Sequence, residues 1–112
     1  MQYLLLIYQN EATEDRSMYP AYMAFTESIK ASGNYIGGNP LQPVSTATSV
    51  RVRGGKTAVT DGPFAETREQ LGGYYLVEAA NLDEATAMAA RIPSATVGTI
   101  EVRPIMVFGP PA

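Results

Sequence analysis

Two segments of this chain are apolar without the alternation that marks a strand exposed on one face. Residues 3–8 are all aliphatic or aromatic, and residues 74–79 are apolar except for Glu78. A β-strand points successive side chains to opposite faces of its sheet, so strands of this composition are covered on both faces. The chain has 112 residues, enough for one domain with one core. The fold must therefore cover a sheet on both sides.

Helix signals follow each of these strands. Apolar residues at helical spacing predict a first helix over residues 17–32, and Gly33 follows it where a helix commonly ends. A second helix begins after Asn81, which with Glu84 resembles a capping box, and it stops at Pro93. Two helices of this length can cover one face of a small sheet.

A hairpin is inserted between the two halves of the chain. Residues 48–53 alternate apolar and polar, Gly54-Gly55 gives a two-residue turn, and residues 56–60 return. The order β-α-β, hairpin, β-α-β predicts the α+β class, as a ferredoxin-like sandwich with an inserted hairpin. We expect one domain over residues 1–108 and a loose tail over residues 109–112.

The second face of the sheet predicts self-association. Two helices leave that face without cover, although its strands are apolar on both sides. Large exposed apolar surfaces mark association sites, and a homodimer with two sheets packed face to face is the simplest solution.

The composition excludes several classes of chemistry. The net charge of -3 argues against a nucleic-acid partner, and no segment reaches the roughly 20 apolar residues of a membrane span. The chain has no Cys and no His, hence no disulfide, thiolate nucleophile or imidazole base. A cytoplasmic location is the default, and no metal site or cofactor is predicted. Any acid or base must be Asp, Glu, Tyr or Lys.

The stretch from Asp61 to Gly73 is the densest run of turn and charged residues. Gly62 before Pro63 indicates a turn. The Asp61 side chain either caps a short helical turn over residues 65–70 or remains free for a ligand. Phe64 is expected to pack and to anchor this loop beside the first helix near Tyr22. Glu66 and Glu69 form either a solvated face or a carboxylate pair. Together with Asp61 they are also candidates for a weak site for a hard cation.

Three arginines on strands are candidate ligands for an anion. Arg51, Arg53 and Arg103 offer fork-shaped donors, which suit carboxylate and phosphate groups. The alternative is that each forms a cross-strand ion pair with Glu78 or Glu101.

The run from Asp61 to Tyr75 strongly resembles the YCII-related domain family, in its DGPF-type branch. Supporting segments run nearly end to end, including residues 3–8, 48–53, 90–93 and 100–104. The resemblance implies a dimeric α+β barrel built from ferredoxin-like subunits. It implies little about activity, although members are often associated with extracytoplasmic-function sigma factors.

Related members are thought to use a His–Asp pair, with the His on the first helix and the Asp before the proline that ends the second. The matching positions here are Tyr22, in Tyr19-Pro20-Ala21-Tyr22, and Ile92, before Pro93. Neither partner of that pair is present, so any activity would use other groups.

Three functional interpretations follow. The first is a homodimer that binds a small molecule, with an anion as one option, or a protein partner beside the Asp61–Gly73 loop. Its candidate site consists of Tyr22, Arg51, Arg53, Asp61, Phe64, Glu66 and Arg103. The second is a lyase-like or isomerase-like enzyme with Asp61 or Glu66 as base and Tyr22 as acid. The third is an accessory protein that binds a transcription regulator.

Overall fold

The computed structural model describes residues 1–13 and 16–109, so the end of the tail expected at 109–112 lies outside the described residues. The described chain forms strands and helices in the order that the sequence predicts. They are β1 (Gln2–Gln9), α1 (Tyr19–Ala31), β2 (Tyr35–Pro40), β3 (Thr48–Arg53), β4 (Lys56–Asp61), β5 (Gln70–Glu78), α2 (Leu82–Ala90) and β6 (Thr99–Pro104).

Four strands form one antiparallel sheet in the order β2-β5-β1-β6. This is the strand order of the ferredoxin-like fold, in which two β-α-β halves interleave. Within the described residues, β3 and β4 pair with each other as a separate hairpin. Positive φ angles at Gly54 (57°) and Gly55 (76°) make its tight turn possible. The predicted α+β sandwich with an inserted hairpin is therefore confirmed.

Both helices pack on one face of the four-stranded sheet. Leu5 of β1, Val77 of β5 and Ile29 of α1 are fully buried there. Burial of such a side chain contributes roughly 1.5–3 kcal/mol. Asn81 caps α2 as predicted, because its side-chain oxygen accepts a hydrogen bond from the Glu84 N–H at 2.9 Å.

No helix of the described chain covers the opposite face of this sheet, which we call the open face. The molecule is 18 Å thick in its shortest dimension, which fits one layer of sheet and one of helix. Strand alternation places five half-buried apolar side chains on the open face. They are Leu4, Leu6, Tyr8, Tyr74 and Leu76.

The β3–β4 hairpin extends away from the body of the molecule. Every residue from 50 to 61 is exposed. Alternation places Val50, Val52 and Val59 on one side, each between 57 and 64% exposed, and we call this side the valine face. An isolated two-stranded hairpin is marginally stable in water, so the valine face is a second surface that needs cover.

The stretch from Asp61 to Gly73 differs from the prediction. No helical turn forms over residues 65–70, and Asp61 is the last residue of β4, paired with Thr48. Its carboxylate is exposed and makes no hydrogen bond within the described residues, so the predicted cap is absent. Phe64 is 80% exposed, so the expectation that it packs is wrong for the single chain. The physical reason is the protruding hairpin, which places this loop beyond the reach of the core.

Two element boundaries also differ. A 3-10 turn, Arg16–Met18, precedes α1, which begins at Tyr19 and not at residue 17. The apolar pattern of residues 100–107 predicts a last strand over that range, and Pro104 restricts it to an edge of the sheet. The strand instead spans Thr99–Pro104, and it is an outer strand of the sheet.

Candidate ligand-binding site

A cleft of about 820 Å³ lies between α1 and the β2–β5 side of the sheet, and we call it the α1 cleft. Ligand pockets commonly occupy roughly 300–1,000 Å³ and are mostly apolar. Tyr22 and Thr26 face the cleft from α1, while Ile7 and Tyr75 line it from the sheet. Tyr19 and Tyr35 add two further phenol rings. An aromatic lining of this kind suits a flat ring compound.

A line of hydrogen bonds joins three residues at one end of the cleft. Ser94 donates its hydroxyl hydrogen to Gln9 Oε1 at 2.8 Å. A serine hydroxyl has one hydrogen, so Tyr22 must be the donor in its own bond to Ser94 Oγ. Ser94 is 1% exposed. The chain therefore runs in one direction, from Tyr22 through Ser94 to Gln9, and it is held by a buried serine.

Only one of the two polar atoms of the Gln9 side chain has a hydrogen-bond partner in the described residues. Its Nε2 atom is buried and has no hydrogen-bond partner among the described residues. Buried polar atoms are nearly always hydrogen-bonded in folded proteins, so such an atom requires an explanation.

A second hydroxyl pair lies farther along α1. Thr26 donates to the Tyr22 carbonyl oxygen at 2.9 Å, so Tyr75 donates to Thr26 Oγ1 across 2.7 Å. The Tyr75 ring also meets the edge of Phe25, with ring centroids 5.2 Å apart. These contacts fix the ring that forms one wall of the cleft.

Burial raises the pKa of both phenols above 10.0, and it outweighs the opposite effect of the bonds to Ser94 and Thr26. Tyr22 and Tyr75 are therefore neutral at physiological pH. A neutral phenol can donate or accept a hydrogen bond, but it is not a base.

Charged groups lie at the entrance of the cleft. Its lining residues include two carboxylates, those of Glu11 and Glu27, and one guanidinium, that of Arg16. Glu11 Oε1 accepts a hydrogen bond from the Val44 N–H, and the Glu11 N–H donates to Gln70 Oε1, both at 2.9 Å. Glu11 thus connects its own 3-10 turn, the turn at Val44 and the start of β5 at the rim.

Of the residues that the sequence suggests for the site, Tyr22 alone lines the α1 cleft. The cleft meets the Asp61–Gly73 stretch only at its end, at Gln70, Gly72 and Gly73. Arg51 and Phe64 line a separate cavity of about 240 Å³ on the hairpin. Asp61, Glu66, Arg53 and Arg103 line neither of these two cavities.

Among the described residues, no ion pair joins Arg51, Arg53 or Arg103 to Glu78 or Glu101, which was the alternative role of the arginines. Within the described residues, Glu78 contacts the Met1 ammonium at 2.6 Å and not an arginine. Arg53 donates to the Val52 carbonyl oxygen. No group of three His, Cys, Asp or Glu side chains among the described residues can hold a metal ion, so Asp61, Glu66 and Glu69 do not assemble as a cation site.

Two important residues of the cleft, Ser94 and Gln9, were not identified from the sequence. Ile92, which the family resemblance matches to an Asp of related members, is 1% exposed and belongs to the core. The polar partner of Tyr22 is Ser94, two positions later, in the 3-10 turn Pro93–Thr96. Gln9 had one signal, because it is the polar residue that ends the apolar first strand.

Known proteins resemble this chain over nearly its whole length. The sequence model of the YCII-related domain matches residues 1–109. An uncharacterized protein of Rhizobium meliloti (strain 1021) is 35% identical over 119 residues, which cover 98% of this chain and 96% of the relative.

Within the described chain, no helix is both long and apolar enough to cross a membrane.

A solved structure with a similar fold is 5-chloro-2-hydroxyhydroquinone dehydrochlorinase (TftG) from Burkholderia phenoliruptrix AC1100, in complex with 2,5-dihydroxybenzoquinone. The TM-score is 0.57, the sequence identity is 16%, and the match covers 95% of this chain and 94% of the other. At this identity the likeness shows a shared fold.

Proposed function

Since the chain belongs to the YCII-related domain family, we propose that it binds a small ring compound in the α1 cleft. The observation that carries the proposal is the cleft itself, about 820 Å³ of space lined by tyrosine rings and ending in the Tyr22–Ser94–Gln9 hydrogen bonds. A similarly folded dehydrochlorinase is described in complex with 2,5-dihydroxybenzoquinone, a flat ring of this kind.

The ligand need not be an anion. Arg51, Arg53 and Arg103, which suggested an anionic group, lie outside the cleft. The deeper polar groups are neutral phenol, hydroxyl and amide groups, which favour hydroxyl and carbonyl oxygens as partners.

Binding has more support than the lyase-like alternative. That alternative needs Asp61 or Glu66 as a base near Tyr22, and neither carboxylate lines the cleft. TftG is described as a dehydrochlorinase. In the described residues, the carboxylates and the Tyr22 phenol of the lyase-like alternative do not line one cavity.

We also propose that the protein is a homodimer. The open face carries Leu4, Leu6 and Leu76 without a covering layer in the described chain. The valine face of the hairpin is also exposed. A second copy covers the open face by placing its own sheet against it, with both hairpins available to extend the contact.

A partner and a location complete the proposal. The resemblance supports a sigma-factor-related partner, and the absence of Cys is compatible with the reducing cytoplasm. Affinity capture from the cytosolic fraction tests both. Recovery of the protein in an extracytoplasmic fraction, without a regulator, would contradict them.

The binding proposal is tested by blocking the cleft. Met23 is 71% exposed at the cleft and Ala24, the next residue of α1, is exposed and does not line it. Calorimetric titration at neutral pH with maltol, a flat ring that carries a carbonyl and a neutral hydroxyl group, should give binding to the wild type and to Ala24→Trp. Met23→Trp should lose binding, because the indole occupies the cleft. Equal binding by both variants would place the ligand elsewhere, and no binding to the wild type would reject this ligand class.

A further inference from the structure

Gln9 reaches the α1 cleft because of where β1 ends. It follows Ile7 on the helix-covered side of the sheet by strand alternation. The pairing of β1 with β5 shifts register between Ile7 and Tyr8, with Gly72 as the extra residue of β5. Such bulges commonly redirect a side chain next to a functional site.

The backbone around Gln9 is closely packed on its other side. A Cβ atom at Gly98 would lie 2.1 Å from the Tyr8 carbonyl oxygen and 3.2 Å from Gln9 Cα. Glycine is therefore required at position 98 for this approach. The close approach of Gly98 therefore positions the backbone from which the Gln9 side chain extends.

Of the two polar atoms of the Gln9 side-chain amide, only the oxygen is hydrogen-bonded within the described part of the chain. Its Oε1 atom accepts from Ser94, while its Nε2 hydrogens have no acceptor among the described residues. Tyr22 gives its hydrogen to Ser94, so the lone pairs of its oxygen are available to a ligand hydroxyl. A donor and an acceptor therefore flank the same serine at one end of the cleft.

We propose that Gln9 determines ligand specificity by donating from Nε2 to a carbonyl oxygen, while the Tyr22 oxygen accepts from a hydroxyl on the adjacent ring carbon. The ligand class is a flat ring with neighbouring carbonyl and hydroxyl groups. This inference rests on the proposed function of the cleft, and it adds the residue and the oxygen pattern that select the ligand.

The selection should be measurable as a ratio of affinities. A site built to hydrogen-bond a ligand group discriminates against analogues without it, because its own buried group is then left unpaired. The preference for maltol, whose ring carries a carbonyl and a neutral hydroxyl group on adjacent carbons, over phenol should be about tenfold or more.

The experiment titrates the wild type, Gln9→Leu and Gln9→Met with both probes in a calorimeter. Leucine removes the donor, and methionine keeps the unbranched shape of glutamine but has no hydrogen to donate. Both variants should bring the ratio of the two affinities close to one. Phenol binding shows that each variant still folds around an open cleft.

The outcomes separate this inference from the proposed function. If both probes bind but the Gln9 variants keep the wild-type preference, the cleft binds rings and Gln9 does not select them. If the wild type binds both probes equally, the inference also fails while the binding function stands. If neither probe binds the wild type, the proposed function fails, and this inference fails with it.

Discussion

Tyr22 of the first helix donates a hydrogen bond to Ser94, which lies 72 positions later in the turn after the second helix. Ser94 is the buried polar side chain of the described core, at 1% exposure. The bond joins the two halves of the ferredoxin-like fold at the end of the α1 cleft. The same contact therefore supports the fold and shapes the candidate site.

The first prediction concerns the stability that this contact provides. Ser94→Ala leaves Gln9 Oε1 and the Tyr22 hydroxyl without their partner, and should lower the free energy of unfolding by about 1–3 kcal/mol. Tyr22→Phe keeps the Ser94–Gln9 bond and should cost about 0.5–1.5 kcal/mol. In urea unfolding, the double variant should lose less than the sum of the two. Additive losses would show that the two side chains are not coupled.

The second prediction concerns alkaline pH. Burial raises the pKa of Tyr22 and Tyr75 above the unfolded value of 10.0, so the folded state holds these protons more tightly. Their contribution to stability is complete below about pH 9 and is lost as the pH rises through the folded pKa values. Tyr22→Phe should therefore lose less stability than the wild type between pH 8 and about pH 10.5. Parallel losses in urea unfolding would mean that Tyr22 does not contribute.

The sheet and helices were predictable because they depend on local patterns. The apolar runs at residues 3–8 and 74–79 located the central strands, and Gly54-Gly55 located the hairpin turn. Asn81 capped the second helix as expected. Periodicity and turn chemistry act over a few residues, so one sequence is enough to read them.

The site was less predictable because it depends on distant pairs. Ser94 and Gln9 are separated by 85 positions, and no local pattern indicates that they meet. The loop with the strongest sequence signature lies beside an exposed hairpin, which is why Phe64 is exposed. A distinctive motif locates a family, whereas burial depends on which elements pack together.

The third prediction follows from the exposure of Phe64. Removing its ring by Phe64→Ala should change the unfolding free energy of the single chain by less than about 0.5 kcal/mol. Leu5→Ala is the control, since Leu5 is fully buried and its truncation should cost roughly 2–5 kcal/mol. Urea unfolding at low protein concentration checks both. A loss of several kcal/mol for Phe64→Ala would mean that the ring is buried in the folded chain.

The fourth prediction is that zinc does not bind tightly. Tight zinc sites use His and Cys side chains, which the sequence lacks. Calorimetric titration with zinc should give no site with a dissociation constant below about 1 µM. A stoichiometric site tighter than this would contradict the prediction, and Asp61→Asn and Glu66→Gln variants would then test which carboxylates hold the ion.

The fifth prediction concerns the open face. Leu4 lies there beside Arg103 of β6, so a glutamate at position 4 can pair with that arginine within one chain. The same carboxylate would be costly between two packed sheets. Leu4→Glu should therefore separate the dimer while leaving the subunit folded.

Sedimentation at micromolar concentration provides the measurement. The wild type should sediment at about twice the 12.0 kDa of one chain, and Leu4→Glu at the mass of one chain. Ala24→Glu, on the exposed side of α1, is the matched control and should remain dimeric. The thermal midpoint should rise with protein concentration for the wild type and not for Leu4→Glu, because association stabilises only the chain that dimerises. A wild type that sediments as one chain would mean that the open face faces water or another partner.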